Sequence, residues 1–256
     1  MIRLIFVLRR LPGMSLEEFQ RYWRENHGPL VASHSTHMGI IKYIQLHTMV
    51  SPIHEVMRES RGLMEPYDGV AELWFDNQAE TQAEAVSPQR EEATLELLED
   101  EKKFIDFSHS TMWMATDVPQ INPTPENIVA LERSTIVKLF YVFRRLPSLS
   151  REETHLYWRM NHGPLIRRNA SPTGILRYIQ VHALDDELSA ESRELRGGME
   201  EPYDGHAELW YDSSLMGTEN EQRQKATDLF LEDERNFIDF SRSAMWYGKE
   251  HVFVDR

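Results

Sequence analysis

Tyr22-Trp23-Arg24-Glu25-Asn26-His27-Gly28-Pro29-Leu30 returns 135 residues later as Tyr157-Trp158-Arg159-Met160-Asn161-His162-Gly163-Pro164-Leu165. A period that long is a whole small domain, so the chain reads as a tandem duplication and not as a solenoid. In each copy aromatic and apolar residues recur at helical spacing and then meet Gly-Pro. Glycine accepts a left-handed cap and proline cannot continue the ladder, so the helix is expected to stop there, with His27 and His162 at its C-terminus among backbone carbonyls that favour a charged imidazole.

Working outward, the same elements appear twice. Residues 2–9 and Ile136 to Arg145 are apolar and β-branched, and read as buried strands. Ser15 with Glu18, and Ser150 with Glu153, form capping boxes that start the helices. A second strand follows over 39–47. Side chains alternate across a strand, so Tyr43, Gln45 and His47 share a face, as do Tyr178, Gln180 and His182. Pro66-Tyr67-Asp68-Gly69 is a turn in which glycine is expected to supply a positive φ. It leads into Val70 to Phe75, where Glu72 and Trp74 share a face; the copy gives His206, Glu208 and Trp210. An acidic helix is expected over 78–104, and a fourth strand over about 109–115 and 242–248. The order in each half is strand, helix, strand, strand, helix, strand. The fold class is therefore α+β, with repeats at 1–118 and 136–248, a proline-bearing loop over 119–135 and a tail over 249–256. Two sheets with helices on one face only can cover each other's bare faces.

Composition narrows the function. The chain has 256 residues, a formal charge of −14 and no cysteine. So acidic a surface repels phosphate and anionic lipid, which argues against nucleic-acid and membrane partners, and the lack of cysteine removes disulfides and thiolate chemistry. The apolar N-terminus is too short and wrongly flanked for a signal peptide, and no run is long enough to span a bilayer, so a cytoplasmic location is expected. No G-x-G-x-x-G follows a strand and no H-x-x-x-H pair lies on a helix; no metal and no cofactor is expected.

Trp-x-x-x-His-Gly-Pro-Leu after a capped helix, Tyr-Ile-Gln-x-His on the next strand, Tyr-Asp-Gly-x-Ala-Glu-Leu-Trp and a late Phe-Ile-Asp-Phe-Ser together resemble the EthD domain of the dimeric α+β barrel superfamily. The resemblance covers both halves outside the linker and tail. It implies two ferredoxin-like (βαββαβ) repeats closing one eight-stranded intramolecular barrel, a pseudo-dimer, with a homodimer of that chain left open. For activity it implies cofactor-independent lyases or isomerases of the dehydratase, decarboxylase or cyclase type, acting on small carbonyl, aromatic or lactone compounds. The wider superfamily also holds monooxygenases and haem proteins, and a non-catalytic small-molecule binding protein is the further alternative.

Of eleven histidines only His27/His162 and His47/His182 occur in both halves. By resemblance to cofactor-free lactone isomerases, His27, Tyr43, His47, His162, Tyr178 and His182 are the expected catalytic set: imidazole moves a proton from carbon and the tyrosine steadies the enolate. The bland reading, capping and strand-end hydrogen bonds, stands beside it. Gln45, Glu72, Trp74, Gln180, His206, Glu208, Trp210 and Arg167 are the expected substrate-binding residues. Glu72 or Glu208, mid-strand among apolar neighbours, needs a polar pocket or a partner such as Arg9 or Arg144. Arg167, Arg168 and His206 would suit the second pocket to an anionic substrate. Glu99-Asp100-Glu101 reads as a solvated helix face.

Overall fold

The computed structural model describes residues 2–75, 87–123, 128–185, 187–216 and 220–256. Eight strands close into one antiparallel barrel: β1 (Ile2–Leu8), β2 (Ile40–Thr48), β3 (Gly69–Phe75), β4 (Thr111–Ile121), β5 (Ile136–Arg145), β6 (Ile175–Ala183), β7 (Gly205–Asp212) and β8 (Ile238–Asp255). Their order around the barrel is β1-β3-β2-β8-β5-β7-β6-β4. The helices on its outside are α1 (Leu16–Tyr22), α2 (Gly28–His34), α3 (Ile53–Arg61), α4 (Pro88–Glu101), α5 (Arg151–Tyr157), α6 (Gly163–Arg168), α7 (Ala170–Thr173), α8 (Glu187–Leu195) and α9 (Glu221–Glu234). No described helix is long and apolar enough to cross a membrane.

Register explains the layering. One cluster of buried side chains draws on all eight strands, including Ile5, Leu46, Val70, Trp113, Phe140, Ile179, Trp210 and Trp246, and fills the barrel. The alternate residues of the same strands face outward under helices. Phe6, Tyr43 and Met114 pack with Phe19 and Trp23 in the first half, and Tyr141, Tyr178 and Tyr247 with Trp158 and Phe230 in the second. This is the period-2 alternation of a sheet covered on both faces.

Two long strands close the barrel. β4 pairs with β1 through Ala115 and continues against β6 as far as Ile121 opposite Tyr178. β8 pairs with β5 up to Gly248 and then with β2 as far as Asp255 opposite Lys42. The expected tail 249–256 is therefore strand, and so is the start of the expected loop 119–135. Pro119 sits where the β4–β6 register shifts, a place where a strand can do without one donor. Residues 78–86 of the expected acidic helix and 124–127 of the expected loop lie outside the described residues; the described helix is Pro88–Glu101.

The capping boxes at Ser15 and Ser150 form as read. The helix stop does not. Gly28 and Gly163 have ordinary right-handed helical φ values of −57° and −55°, and Trp23–His27 and Trp158–His162 are π-turns closed by the Gly28 and Gly163 N–H on the Trp23 and Trp158 carbonyls. Gly-Pro then opens a further helix, with proline in its first turn, where its missing donor costs nothing. Glycine leaves room for side chains that pack against it: a Cβ on Gly28 would meet the Phe253 ring at 2.4 Å, and one on Gly163 would meet the end of the Gln120 side chain at 2.5 Å. Gly69 is likewise a close approach, its Cβ position 2.4 Å from Trp23, and its φ is not positive as the turn reading expected.

Candidate functional site

A cavity of about 580 Å³ lies outside the barrel in the second half. Its floor is the outer sheet face, with Leu139 and Tyr141 of β5, Tyr178 of β6, Leu209 and Tyr211 of β7, and Met245 and Tyr247 of β8; His162, Ile166, Phe230 and Glu234 come from the covering helices. Ile53, Met57 and Arg61 of α3 complete the wall from the first half of the chain.

His162 is the group best placed for chemistry. The π-turn inserts one residue into the helix and turns its imidazole inward. A carboxylate only accepts, so the 2.7 Å contact with Asp233 Oδ2 puts the proton on Nδ1 and the lone pair on Nε2. Burial would raise the Asp233 carboxyl, but the hydrogen bonds from His162 and Tyr157 outweigh it and hold it below its ordinary value. The Gln180 amide donates 2.8 Å to the Trp158 carbonyl and so braces the turn. It also donates to the Tyr178 hydroxyl, which receives Trp158 Nε1 as well, both at 3.1 Å. Burial keeps the Tyr178 hydroxyl protonated despite those donors, so its own O–H remains to donate.

The first half repeats the dyad. His27 Nδ1 is 2.9 Å from Asp100, which also accepts from Tyr22 at 2.6 Å. The His27 hydrogen bond, helped by Tyr22 and Lys103, holds Asp100 well below its usual range against the effect of burial. The acidic run at 99–101 is thus no solvated face: Asp100 is buried on His27, and Glu101 is buried on Arg196 at 2.7 Å. The matching Glu234 pairs with Arg61 at 2.7 Å. Neither imidazole sits among terminal carbonyls; each faces a carboxylate.

The Tyr, Gln and His of the second strand do share a face. Gln45 donates to Tyr43 at 2.9 Å, and His47 lies 2.8 Å from Gln45 Oε1; His182 lies 3.2 Å from Gln180 Oε1. Each imidazole stacks on a tryptophan, His47 on Trp23 at 4.7 Å and His182 on Trp158 at 4.6 Å. His182 supports His162 and Tyr178 through this chain but does not line the cavity. Burial, then His155 nearby, pushes it down to about 3, and burial lowers His47 too. Both are neutral at pH 7.

Glu72, Trp74, His206, Glu208 and Trp210 lie inside the barrel, on the opposite face of the sheet from the cavity. Glu72 is paired, though not with Arg9 or Arg144, whose guanidinium groups bind the carbonyls of 65–66 and 201–202. Arg3 reaches Glu72 at 2.8 Å and Glu208 at 2.9 Å; Lys138 reaches Glu72 at 2.6 Å, Glu208 at 3.2 Å and Glu250 at 3.4 Å. Arg3 stacks over Trp74, and Trp210 donates to Glu250 at 3.0 Å. Arg167 bonds Gln120 and is exposed, as is Arg168, so neither the cations nor His206 makes this cavity anionic-selective.

Burial and the neighbouring Glu208 push Glu72 up to about 8, more than Lys138 and Arg3 lower it. Burial opposes the charge on Glu208, but Arg3, Lys138 and His206 overcome that and keep it ionised, so the two carboxyls share one proton. Between 4.5 and about 8 the native state then binds a proton at Glu72 that the unfolded chain has released, and stability falls as pH rises. The buried histidines act oppositely: His206, pushed down to about 4 by burial despite the Glu208 hydrogen bond, and His182 are neutral when folded and charged when unfolded below 6.5. Stability is expected to peak near pH 6.5, where the histidines cease to contribute. Above it, stability should fall by up to about 1.4 kcal/mol per pH unit. Urea midpoints of the wild type and Glu72→Gln across that range check this: the variant should lose the decline, and a flat wild-type profile contradicts it.

A closed eight-stranded antiparallel barrel with helices outside it is a dimeric α+β barrel. The chain belongs to the EthD domain family, whose model matches residues 11–108 and again 146–241. No curated protein matches the chain. Similar solved structures include a "putative monooxygenase" from Lactobacillus acidophilus, 9% identical over 98% of this chain and 94% of that one, with a TM-score of 0.47. Another is a "putative monooxygenase" from Fusobacterium nucleatum, 5% identical over 98% and 93%, with a TM-score of 0.52. A third is a "putative chlorite dismutase", 11% identical over 98% and 94%, with a TM-score of 0.47. At such identities the second supports the fold, and none bears on the reaction.

Proposed function

We propose that the chain is an intramolecular pseudo-dimer of two ferredoxin-like units and works as a cofactor-independent lyase or isomerase on a small carbonyl, aromatic or lactone compound. His162 Nε2 takes a proton from the carbon beside the substrate carbonyl. Tyr178 donates to the oxygen on which the enolate charge gathers, and Asp233 steadies the imidazolium. The proton returns to another carbon in an isomerisation; in an elimination a leaving group departs as the new double bond forms. His182 and Gln180 hold Tyr178 and the π-turn in place. The supporting observation is the 2.7 Å His162–Asp233 contact at the wall of an apolar cavity.

The test is incubation in D2O with a panel of cyclic ketones, β-keto aromatics and unsaturated lactones, followed by mass spectrometry. Deuterium uptake beside the carbonyl, or product, is the expected result. Saturable binding with neither would make this a binding protein and end the enzymatic reading.

A further inference from the structure

The two halves are not chemically equivalent where they should be. Register gives the correspondence without alignment. Phe6 pairs with Ala71 as Tyr141 pairs with Ala207, Met114 pairs with Leu4 as Tyr247 pairs with Leu139, and Phe75 ends β3 where Tyr211 ends the matching run of β7. Three outward-facing positions that are Phe, Phe and Met in the first half are thus all tyrosine in the second. All three tyrosines line the cavity. Nothing about the fold demands this, because the surrounding positions are matched: Leu4 with Leu139, Leu73 with Leu209, Met112 with Met245, Tyr43 with Tyr178.

Tyr141 is the informative member. Its hydroxyl is buried at the cavity floor, where Arg61 is near enough to donate to its oxygen but no acceptor meets its O–H, which is costly unless something that enters the cavity accepts it. Burial and the nearby Glu234 keep it protonated, so it can only gain by donating. The charge beside it is already balanced, since Arg61 is spent on Glu234; the other arginine lining the cavity, Arg223, lies by Tyr247 and donates to the Leu215 carbonyl at 3.1 Å. An anion placed there would face that carboxylate, whereas a neutral carbonyl oxygen would not.

The helix over each half differs as well. In the first half Arg193 of α8 turns in and donates 2.9 Å to the Met112 carbonyl, closing that helix onto β4. The matching Arg58 of α3 turns out to Glu55 at 2.9 Å, and α3 walls the cavity instead.

We propose that the chain has one working site, in the second half, and that Tyr141 selects a neutral carbonyl compound by donating to its oxygen. This rests on the proposed function in placing the reaction there, but it concerns which half works and what orients the ligand. The proton acceptor His162 and the donor Tyr141 then hold the substrate from two sides, and Tyr141 is a specificity-determining residue.

The probe is 2-acetylnaphthalene, with 2-ethylnaphthalene as its oxygen-free counterpart, titrated calorimetrically into the full chain. One equivalent of the ketone should bind per chain. Tyr141→Phe should weaken the ketone about tenfold, the loss of one hydrogen bond, and leave the hydrocarbon unchanged. The carbonyl stretch of the bound ketone should lie at lower frequency in the wild type than in the variant, a shift that altered packing alone would not give. Two equivalents per chain, equal weakening of both probes, an unshifted carbonyl stretch or no binding of the ketone would each overturn the proposal. Tyr141-dependent ketone binding without any deuterium exchange would remove the enzymatic reading and leave this one; exchange that is indifferent to Tyr141 would do the reverse.

Discussion

His162→Gln is expected to cut deuterium exchange and turnover by roughly a hundred- to ten-thousandfold, the usual contribution of a positioned general base. Glutamine fills much of the imidazole's space and can still donate to Asp233, which also keeps its 2.8 Å bond from Tyr157. Thermal melting should therefore move by only a few degrees, on the order of 1 kcal/mol for one altered hydrogen bond. Asp233→Asn should fall between wild type and His162→Gln, because the amide can present its NH2 to Nδ1 and so favour the tautomer with the proton on Nε2. Stability in the His27→Gln variant should drop as it does for His162→Gln, since the contact with Asp100 is equivalent. Its turnover separates the two halves: if both worked independently, either variant alone would keep about half of the wild-type rate, whereas a large loss confined to His162 would mean that one does. Initial rates on whichever compound exchanges, with circular dichroism melts alongside, give both readings.

What the sequence made visible and what it hid follow one pattern. Repetition exposed the strand order, both capping boxes and the shared face of Tyr43, Gln45 and His47, because each rests on local spacing that a register of 2 or 3.6 preserves. The π-turn was hidden because one inserted residue breaks that spacing, and Gly-Pro after it has the same signature as a helix stop. Asp100 was hidden because Glu99, Asp100 and Glu101 look alike as a charge run. Only the position of the helix on the sheet turns Asp100 and Glu101 inward and leaves Glu99 out. The closing halves of β4 and β8 were hidden because they cross from one copy to the other. Thr116 to Ile121 alternates partly buried and exposed residues and contains Pro119, so it has the composition of a loop until β6 is there to pair with it. Such partners lie far away in sequence, and no window finds them. The tyrosines at 141, 211 and 247 were legible only as differences between the copies, and they acquire meaning once their shared cavity is seen.

Lys138→Met is expected to cost about 3–5 kcal/mol of stability, the largest single loss for any change inside the barrel. The ammonium is fully buried and within 3.4 Å of Glu72, Glu208 and Glu250, with Arg3 as the other cation in reach of the first two. Methionine matches the stem and removes the charge, so Glu208 and Glu250 are left buried without the cation they share. Its acidic neighbours, Glu208 first, in turn overcome the burial that would otherwise lower the Lys138 ammonium, and it stays charged. Glu72→Gln should behave quite differently at neutral pH, changing stability by about 1 kcal/mol or less, because it replaces a carboxyl that already holds a proton with a neutral group of the same shape. Because the partners lie within contact, the changes should not add: Glu72→Gln in the Lys138→Met background should cost less than its own value or restore stability. Urea denaturation of the four proteins at pH 7 yields that coupling directly. A Lys138→Met protein as stable as the wild type would mean that the interior charges relax onto water and do not pin β1, β3, β5 and β7 together. The expected loss would mean that the barrel is locked at its centre by ion pairs joining the two halves of the chain. The cavity outside it would then rest on a floor that neither half could hold flat alone.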